Sequence, residues 1–186
     1  TEKKCIESWK IHCPDYEIIE WNEANFDINC CQYIKEAYDA KKWAFVTDYA
    51  RLKVVYENGG IYLDTDVEML KPLDDLLSNT AFFGFQNENL IATGLGFGAQ
   101  KGCEILNELM LDYKDVSFCL PNGTYDLTPC PERNSEVFIK YGFKMDNSLQ
   151  VLDGVVIYPS EYFCPKNSRT LKLEVTKNTY TIHHFA

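Results

Sequence analysis

The most informative stretch of the chain reads "WAFVTDYARLKVVYENGGIYLDTDVEML" (residues 43–70). Its first part is apolar on several sides and stops before Gly59-Gly60, which predicts a largely buried helix with a glycine C-terminal signal. A strand over 61–64 and a second extended piece over 66–70 should follow. The stretch therefore predicts a helix that leads into a buried strand with two aspartates at its end.

The rest of the chain alternates in the same way between helical and extended patterns. Further helices are predicted over 5–13, 31–40 and 103–113, and further strands over 16–21, 81–85, 90–99, 154–159 and 179–185. The remainder reads as loops and short strands. Helices that alternate with strands predict an α/β fold with a central sheet, and the length of 186 residues with 46% apolar content fits a single domain over 1–186.

Composition limits the classes of partner. The formal net charge of −10 argues against a nucleic-acid surface. It also means that a phosphate-bearing ligand would depend on a few arginines or lysines, or on a metal ion. No run of apolar residues is long enough to span a bilayer. The eight cysteines show no C-x-x-C spacing, so free thiols are the favoured interpretation and a disulfide framework stays open.

Asp64 and Asp66 lie at the end of the predicted strand. An Asp-x-Asp tripeptide is expected about once by chance in a chain with 13 aspartates, so the context must decide its meaning. If the backbone stays extended through Thr65, both carboxylates point to the same side. Two such oxygen ligands at a strand end suit Mg²⁺ or Mn²⁺. A solvated acidic turn is the alternative.

Asp48 and Arg51 lie three residues apart on the preceding helix, which is otherwise apolar. Charges in such a helix should be paired or directed at a polar group. They form either a purely structural salt bridge or a site at which Arg51 meets a phosphate or sugar hydroxyl and Asp48 accepts hydrogen bonds from the sugar.

Taken together, "TDYARLKVVYENGGIYLDTDVEML" resembles the sugar-binding region with the Asp-x-Asp motif in glycosyltransferase family 32, which includes bacterial capsular and exopolysaccharide enzymes, α-mannosyltransferases and α-galactosyltransferases. The resemblance extends to "CIESWKIHCPDYEIIEWN" and to the terminal "TYTIHHFA". It implies a GT-A-like fold for nucleotide-diphospho-sugar transfer, with a mixed central sheet flanked by helices.

The resemblance also implies roles for individual residues. Asp66 would ligate Mn²⁺ or Mg²⁺ directly, and Asp64 would contact the ribose and share the metal. Asp48 and Arg51 would hold the donor sugar. Two further expectations are that Asn22 lies near the nucleotide and that Thr93, in the glycine-rich "TGLGFG", contacts a sugar.

The terminal histidines offer a third metal ligand. In GT-A enzymes a histidine is often brought to the metal or the diphosphate, and His183 is the preferred candidate over His184. An exposed strand end is the alternative interpretation of both. Asp126, Glu132 and Glu136 are candidate acceptor-side bases, with ordinary surface acids as the favoured interpretation.

The chain departs from the family in three places. It begins inside the first helix, after the apolar strand with which relatives usually begin, and it ends at Ala186, before their Ser-Trp continuation. It also carries Cys103 where many relatives have histidine. The single domain is therefore expected to lack the family's first strand and C-terminal tail.

The expected function is that of a retaining, metal-dependent hexosyltransferase. It would move a sugar from a nucleotide-diphosphate donor, UDP-sugar favoured, to a glycan or lipid-linked glycan in polysaccharide or capsule biosynthesis. The expected location is the bacterial cytoplasm, with peripheral association at the inner face of the membrane. Two rivals stay open: a non-catalytic nucleotide-sugar or carbohydrate-binding domain, and a metal-dependent phosphoesterase.

Overall fold

A computed structural model describes residues 2–186 as an α/β fold of six helices and seven short strands. The helices are α1 (Glu2–His12), α2 (Gln32–Asp39), α3 (Trp43–Asn58), α4 (Glu104–Leu111), α5 (Cys130–Tyr141) and α6 (Ser160–Phe163). The strands are β1 (Gly60–Tyr62), β2 (Val67–Met69), β3 (Ala81–Gly84), β4 (Phe97–Ala99), β5 (Gln150–Leu152), β6 (Val155–Tyr158) and β7 (Thr181–His183).

The central sheet has five strands in the order β1-β4-β3-β6-β5. The β3–β6 pair is parallel, and the other pairs are antiparallel. A separate antiparallel pair joins β2 to β7, with Val67 opposite His183. The predicted mixed sheet is confirmed, and the small β2–β7 pair carries the chain's end back to the acidic motif.

Both faces of the sheet are covered by apolar side chains, because alternate residues of a strand point to opposite faces. Phe83 of β3 and Ile157 of β6 belong to the larger core cluster, which also contains residues of α2, α3, α4 and α5. Phe82 faces the smaller cluster with Phe163 of α6. The sheet is thus a buried layer that fixes the ends of its strands.

The predicted helix over 43–58 is confirmed at both ends. Gly59 follows it with a φ of 73°, and its N–H donates to the carbonyl of Val55 at 2.7 Å. A positive φ of this kind costs glycine little. The helix therefore ends at a defined point, and the chain turns directly into β1.

Three predictions about secondary structure are wrong. The strand expected over 90–99 is confined to β4, and Thr93–Leu95 form a 3₁₀ turn instead. Residues 16–21 form no strand, and no strand within residues 2–186 pairs with them, so their backbone lacks the ladder that defines a strand. Residues 130–141, expected in a region of loops and short strands, form the helix α5.

The cysteines and the apolar segments of the described chain can be compared with the expectations from composition. All eight cysteines are free thiols. Among residues 2–186, no helix combines the length and the apolarity needed to cross a membrane.

Candidate active site

The acidic motif lies in a turn between β1 and β2. The N–H of Val67 donates to the carbonyl of Asp64 at 3.0 Å, which closes a turn over Thr65 and Asp66. The expectation that the extended backbone continues through Thr65 is therefore wrong. The two carboxylates nevertheless lie close together, because the turn leads directly into β2, where Val67 lies opposite His183 of β7.

His183 faces both aspartates. Its Nε2 lies 3.4 Å from Asp66 Oδ1 and 3.8 Å from Asp64 Oδ2, and one ligand atom from each of the three residues lies within 4.8 Å of the others. Ligands about 2.1 Å from a shared Mg²⁺ lie about 3.0 Å apart at a right angle and about 4.2 Å apart when opposite. Carboxylate and imidazole donors at these separations fit a divalent ion.

Backbone contacts decide which atoms of this cluster stay free. The N–H of His184 donates to the carbonyl of Asp66 at 3.1 Å, and the N–H of Ala186 donates to Asp66 Oδ2 at 2.9 Å. Asp66 Oδ1 therefore faces His183 without a backbone donor. The Nδ1 of His183 is buried without a hydrogen-bond partner, and Phe185 packs against the ring with centroids 4.3 Å apart. The ring is held with Nε2 towards the carboxylates.

Arg51 connects the helix α3 to this cluster. Its guanidinium lies 3.1 Å from Asp48 Oδ1 and 3.7 Å from Asp64 Oδ1. Its Nε donates to the carbonyl of Thr47 at 3.0 Å, and it stacks 5.2 Å from the ring of Tyr62. The hydroxyl of Tyr62 donates to Asp64 Oδ1 at 2.7 Å. Arg51 therefore contacts both carboxylates, and the ring of Tyr62 packs against its guanidinium group.

Burial and neighbouring charge shift the pKa values of Asp48 and Asp64 in opposite directions. Burial raises the pKa of Asp48 and outweighs the opposite effect of Arg51. Burial also acts to raise the pKa of Asp64, but Arg51, the nearby His183 and the hydrogen bond from Tyr62 hold it below its ordinary value. Asp64 is therefore the carboxylate that stays ionised as an oxygen ligand, whereas Asp48 depends on Arg51 to remain charged.

The glycine-rich stretch packs directly against the site at Gly94. A Cβ at this position would lie 2.8 Å from Arg51 Nη1 and 2.9 Å from Asp64 Oδ2. The backbone can approach the site this closely because Gly94 has no side chain. The neighbouring Thr93 is fully buried, and its hydroxyl donates to Asn134 Oδ1 at 3.1 Å. The expected direct sugar contact by Thr93 is not supported, because its side chain has no exposed atom to offer.

Asn22 lies on a cavity of about 280 Å³ that extends along α3 to Arg51. Its own side chain caps the following loop by accepting the N–H of Ala24 at 2.9 Å. The cavity wall is rich in aromatic rings, including Trp21, Phe26, Tyr38, Trp43 and Tyr62. Asn22 and Arg51 therefore border the same space.

Residues 1–83 match the family described as glycosyltransferase sugar-binding region containing DXD motif. The matched region contains Asp48, Arg51, Asp64 and Asp66, and His183 lies outside it. It spans 83 of the 186 residues, and no curated protein matches the chain. The first part of the chain is thus similar to a glycosyltransferase sugar-binding region, and the mixed sheet flanked by helices is consistent with a GT-A-like domain.

The expected site residues fall into three groups. The structure brings together Asp48, Arg51, Asp64, Asp66 and His183, sets Asn22 on the adjoining cavity, and buries Thr93 behind Gly94. Sequence reasoning missed Tyr62, which contacts both Arg51 and Asp64. Its only signal was its place two residues before Asp64, since such residues share a side of an extended strand.

Proposed function

We propose that the protein is a metal-dependent glycosyltransferase that moves a hexose from a nucleotide-diphosphate sugar to a glycan acceptor. The observation that carries this proposal is the convergence of Asp64, Asp66 and His183 beside the Arg51–Asp48 pair. A cation site next to a fixed arginine is what a diphosphate leaving group requires. The match of residues 1–83 to a glycosyltransferase sugar-binding region supports the same conclusion.

In this proposal Asp64, Asp66 and His183 hold Mn²⁺ or Mg²⁺. The bound ion would supply positive charge to the departing diphosphate. Tyr62 keeps Asp64 oriented and ionised through its 2.7 Å hydrogen bond, and the backbone N–H of Ala186 keeps Asp66 Oδ1 turned towards His183 by occupying Oδ2. The protein thus provides a preset ligand geometry that a donor does not have to organise.

Arg51 and Asp48 hold the donor sugar and its proximal phosphate. Arg51 is buried, and Tyr62, Asp64 and Asp48 together hold its pKa above the ordinary value although burial acts to lower it. It is therefore charged at any physiological pH and can give the phosphate a charge-assisted hydrogen bond. Asp48 is the acceptor for sugar hydroxyls, because hydroxyl donors favour its ionised form.

The nucleoside would occupy the aromatic cavity next to Arg51. Its volume of about 280 Å³ is at the lower end of the range for ligand pockets. A pyrimidine is smaller than a purine, so this size supports a UDP-sugar rather than a GDP-sugar. Trp43 and Tyr62 can stack on the base or ribose, and Asn22 can bond the base edge.

We extend the proposal to a retaining transfer that forms no covalent bond to the enzyme. Arg51 lies within 4 Å of both Asp48 and Asp64, so neither carboxylate is free as a nucleophile. The acceptor hydroxyl would then attack on the face that the leaving group vacates. We extend the proposal to polysaccharide or capsule biosynthesis in the bacterial cytoplasm, with a glycan or lipid-linked glycan as acceptor.

A non-catalytic nucleotide-sugar-binding domain is the second candidate. It is favoured by the extent of the family match, which covers the sugar-binding region and not the rest of the chain. It requires the same contacts from Arg51 and Asp64 but no transfer. Binding and turnover must therefore be measured separately.

Thermal melting with nucleotides is the binding test. UDP, GDP and their sugars are added with Mn²⁺ or with chelator to the parent chain and to Asp66→Asn. A donor at about 100 times its Kd should add about 2.7 kcal/mol, or about 5–10 °C for a domain of this size. The proposal expects a Mn²⁺-dependent shift that Asp66→Asn loses and the neighbouring variant Glu68→Gln keeps.

Release of nucleotide from the sugar donors separates the two candidates. Mn²⁺-dependent release of UDP, lost in Asp66→Asn, supports the transferase. A melting shift without any release, with or without oligosaccharide acceptors, supports the binding domain. The absence of a shift with every nucleotide contradicts both.

A further inference from the structure

An exposed hairpin precedes the strand that carries His183. Its arms are joined by hydrogen bonds from the N–H of Asn167 to the carbonyl of Lys172 at 2.9 Å and from the N–H of Glu174 to the carbonyl of Pro165 at 3.1 Å. The Oδ1 of Asn167 accepts the N–H groups of Arg169 and Thr170 at 2.9 and 2.8 Å, which orders the tip. We name residues 165–177 the basic hairpin. Residues 167–177 are all exposed.

The charge of the basic hairpin is opposite to that of the rest of the chain. Lys166, Arg169, Lys172 and Lys177 are basic and only Glu174 is acidic, which gives a net charge of +3 in a chain whose formal net charge is −10. Charges farther away than the Debye length of about 8 Å are largely screened at physiological salt. The hairpin therefore presents a positive surface despite the overall negative charge.

Apolar side chains alternate with the charged ones. Leu171, Leu173 and Val175 are 60%, 47% and 51% exposed. They are spaced two residues apart, and Lys172 and Glu174, which lie between them, form an ion pair. Residues two apart in an extended segment point to the same side, so Leu173 and Val175 form an apolar row beside the basic groups, whereas Leu171, with a φ of 59°, lies in the turn before this row. A soluble polyanion would satisfy the basic groups but leave this row in water, whereas a bilayer surface accommodates both.

The base of the hairpin adjoins the candidate active site. The Nζ of Lys166 donates to the carbonyl of His184 at 2.7 Å, and the N–H of His184 donates to the carbonyl of Asp66 at 3.1 Å. His183 itself follows the hairpin by only a few residues. A surface that binds the hairpin would therefore lie beside the cluster of Asp64, Asp66 and His183.

From this surface we infer that the basic hairpin docks the protein on an anionic membrane. The exposed side chains of Arg169, Lys172 and Lys177 meet lipid phosphates, and the apolar row enters the headgroup region. Docking requires neither the metal nor the nucleotide, so it stands apart from the proposed transfer reaction. For that reaction it would present the site to acceptors held at the bilayer.

Vesicle cosedimentation tests this inference. Vesicles of phosphatidylcholine with phosphatidylglycerol are compared with vesicles of phosphatidylcholine alone. The parent chain should bind only the anionic vesicles, and binding should fall at about 0.5 M salt, where the Debye length is roughly 4 Å. The double variant Arg169→Gln/Lys172→Gln should bind about 25-fold more weakly, because each basic residue near an anionic surface contributes a factor of about five.

A matched control distinguishes a specific role of the hairpin from an effect of the overall net charge. Lys101→Gln/Lys144→Gln removes the same charge from two exposed lysines outside the hairpin and should leave vesicle binding within about twofold of the parent. Equal losses in the two double variants would overturn the inference. Equal binding of the parent chain to neutral and anionic vesicles would also overturn it.

A variant of the apolar row distinguishes binding to a membrane from binding to a soluble polyanion. Leu173→Ser/Val175→Ser should weaken vesicle binding by at least about 10-fold, because two partly buried aliphatic groups are lost, while binding to heparin stays unchanged. Unchanged vesicle binding in this variant would contradict insertion of the apolar row into a membrane. It would point to recognition of negative charge alone, as on a soluble polyanion. Melting temperatures and the Mn²⁺-nucleotide shift serve as folding and donor-site controls, and both should match the parent values.

Discussion

Removal of the positive charge at Arg51 should destabilise the fold and abolish donor binding. Arg51 is 6% exposed and pairs with Asp48 at 3.1 Å and with Asp64 at 3.7 Å. In Arg51→Gln these two carboxylates lose their common cation. Loss of one partner from a buried ion pair costs about 3–5 kcal/mol. That corresponds to a fall in Tm of about 6–20 °C at 2–4 °C per kcal/mol for this size.

Arg133→Gln is the matched control. Arg133 also bridges two carboxylates, with Nη1 3.0 Å from Asp112 and Nη2 2.6 Å from Asp126, and it stacks 5.0 Å from the ring of Tyr113. Its ion pairs involve none of Asp64, Asp66 and His183, although its charge also acts to lower the pKa of Asp48. Both variants should lose stability, measured by thermal melting, but only Arg51→Gln should lose the Mn²⁺-nucleotide shift. Equal retention of that shift in both variants would refute the role of Arg51.

The pH dependence of Arg51→Gln identifies the carboxylate responsible. Burial raises the pKa of Asp48 even with Arg51 present, and the loss of the cation raises it further. A carboxyl whose pKa is higher in the folded state destabilises the fold as pH rises from its ordinary value towards the folded one. The Tm of Arg51→Gln relative to the parent should therefore fall as the pH rises above the ordinary pKa of an aspartate, about 4. Asp48→Asn/Arg51→Gln should abolish this fall, and a persistent fall would contradict the argument.

Two further predictions concern backbone approach and thiol reactivity. Gly94→Ala places a methyl group 2.8 Å from Arg51 Nη1 and 2.9 Å from Asp64 Oδ2, so it should cost about 1–3 kcal/mol in unfolding free energy and weaken Mn²⁺-nucleotide binding by calorimetry. The thiol hydrogen bond from Cys30 is the main reason that the pKa of Cys31 lies below that of an ordinary thiol although burial acts to raise it. Alkylation of Cys31, followed by mass spectrometry over a pH series, should therefore begin at a lower pH than expected for a free thiol with a pKa of about 8.5, and this onset should shift to higher pH in Cys30→Ala.

Each of these predictions has an outcome that contradicts it. Gly98→Ala also overpacks, against the ring of Phe82, but its lost stability should leave nucleotide affinity unchanged. Equal losses of affinity in the two glycine variants would mean that Gly94 acts only through stability. For the thiols, identical pH profiles in the parent chain and in Cys30→Ala would exclude the hydrogen bond as the cause.

The fold was predictable where local signals were complete. The helix over 43–58 combines an apolar pattern with a glycine stop, and both lie within the segment itself. The strand predicted over 16–21 rested on side-chain preference alone, and a strand exists only with a hydrogen-bonded partner. Helix α5 was missed although Pro131 and Gly142, with a φ of 118°, mark its ends. Its polar composition hid a buried side that only tertiary packing defines.

The site residues also differ in how far the local sequence could predict them. Asp48 and Arg51 are three residues apart on one helix, so their contact follows from helical geometry. The meeting of Asp66 with His183 depends on the pairing of β2 with β7, which joins distant parts of the chain. Resemblance to a family suggested His183, whereas no local pattern could. The burial of Thr93 could not be predicted either, because a glycine-rich sequence does not reveal which of its residues faces inward.

Titration with Mn²⁺ followed by electron paramagnetic resonance tests the central claim most directly. The account predicts that the parent chain binds a single ion more tightly with UDP present, and that Asp66→Asn and His183→Ala both lose this binding. The nearby pair of His184 and Glu68, with Nε2 and Oε2 2.8 Å apart, provides the control variant Glu68→Gln, which should bind as the parent does. Binding that survives in Asp66→Asn and His183→Ala, or that disappears in Glu68→Gln alone, would contradict the account.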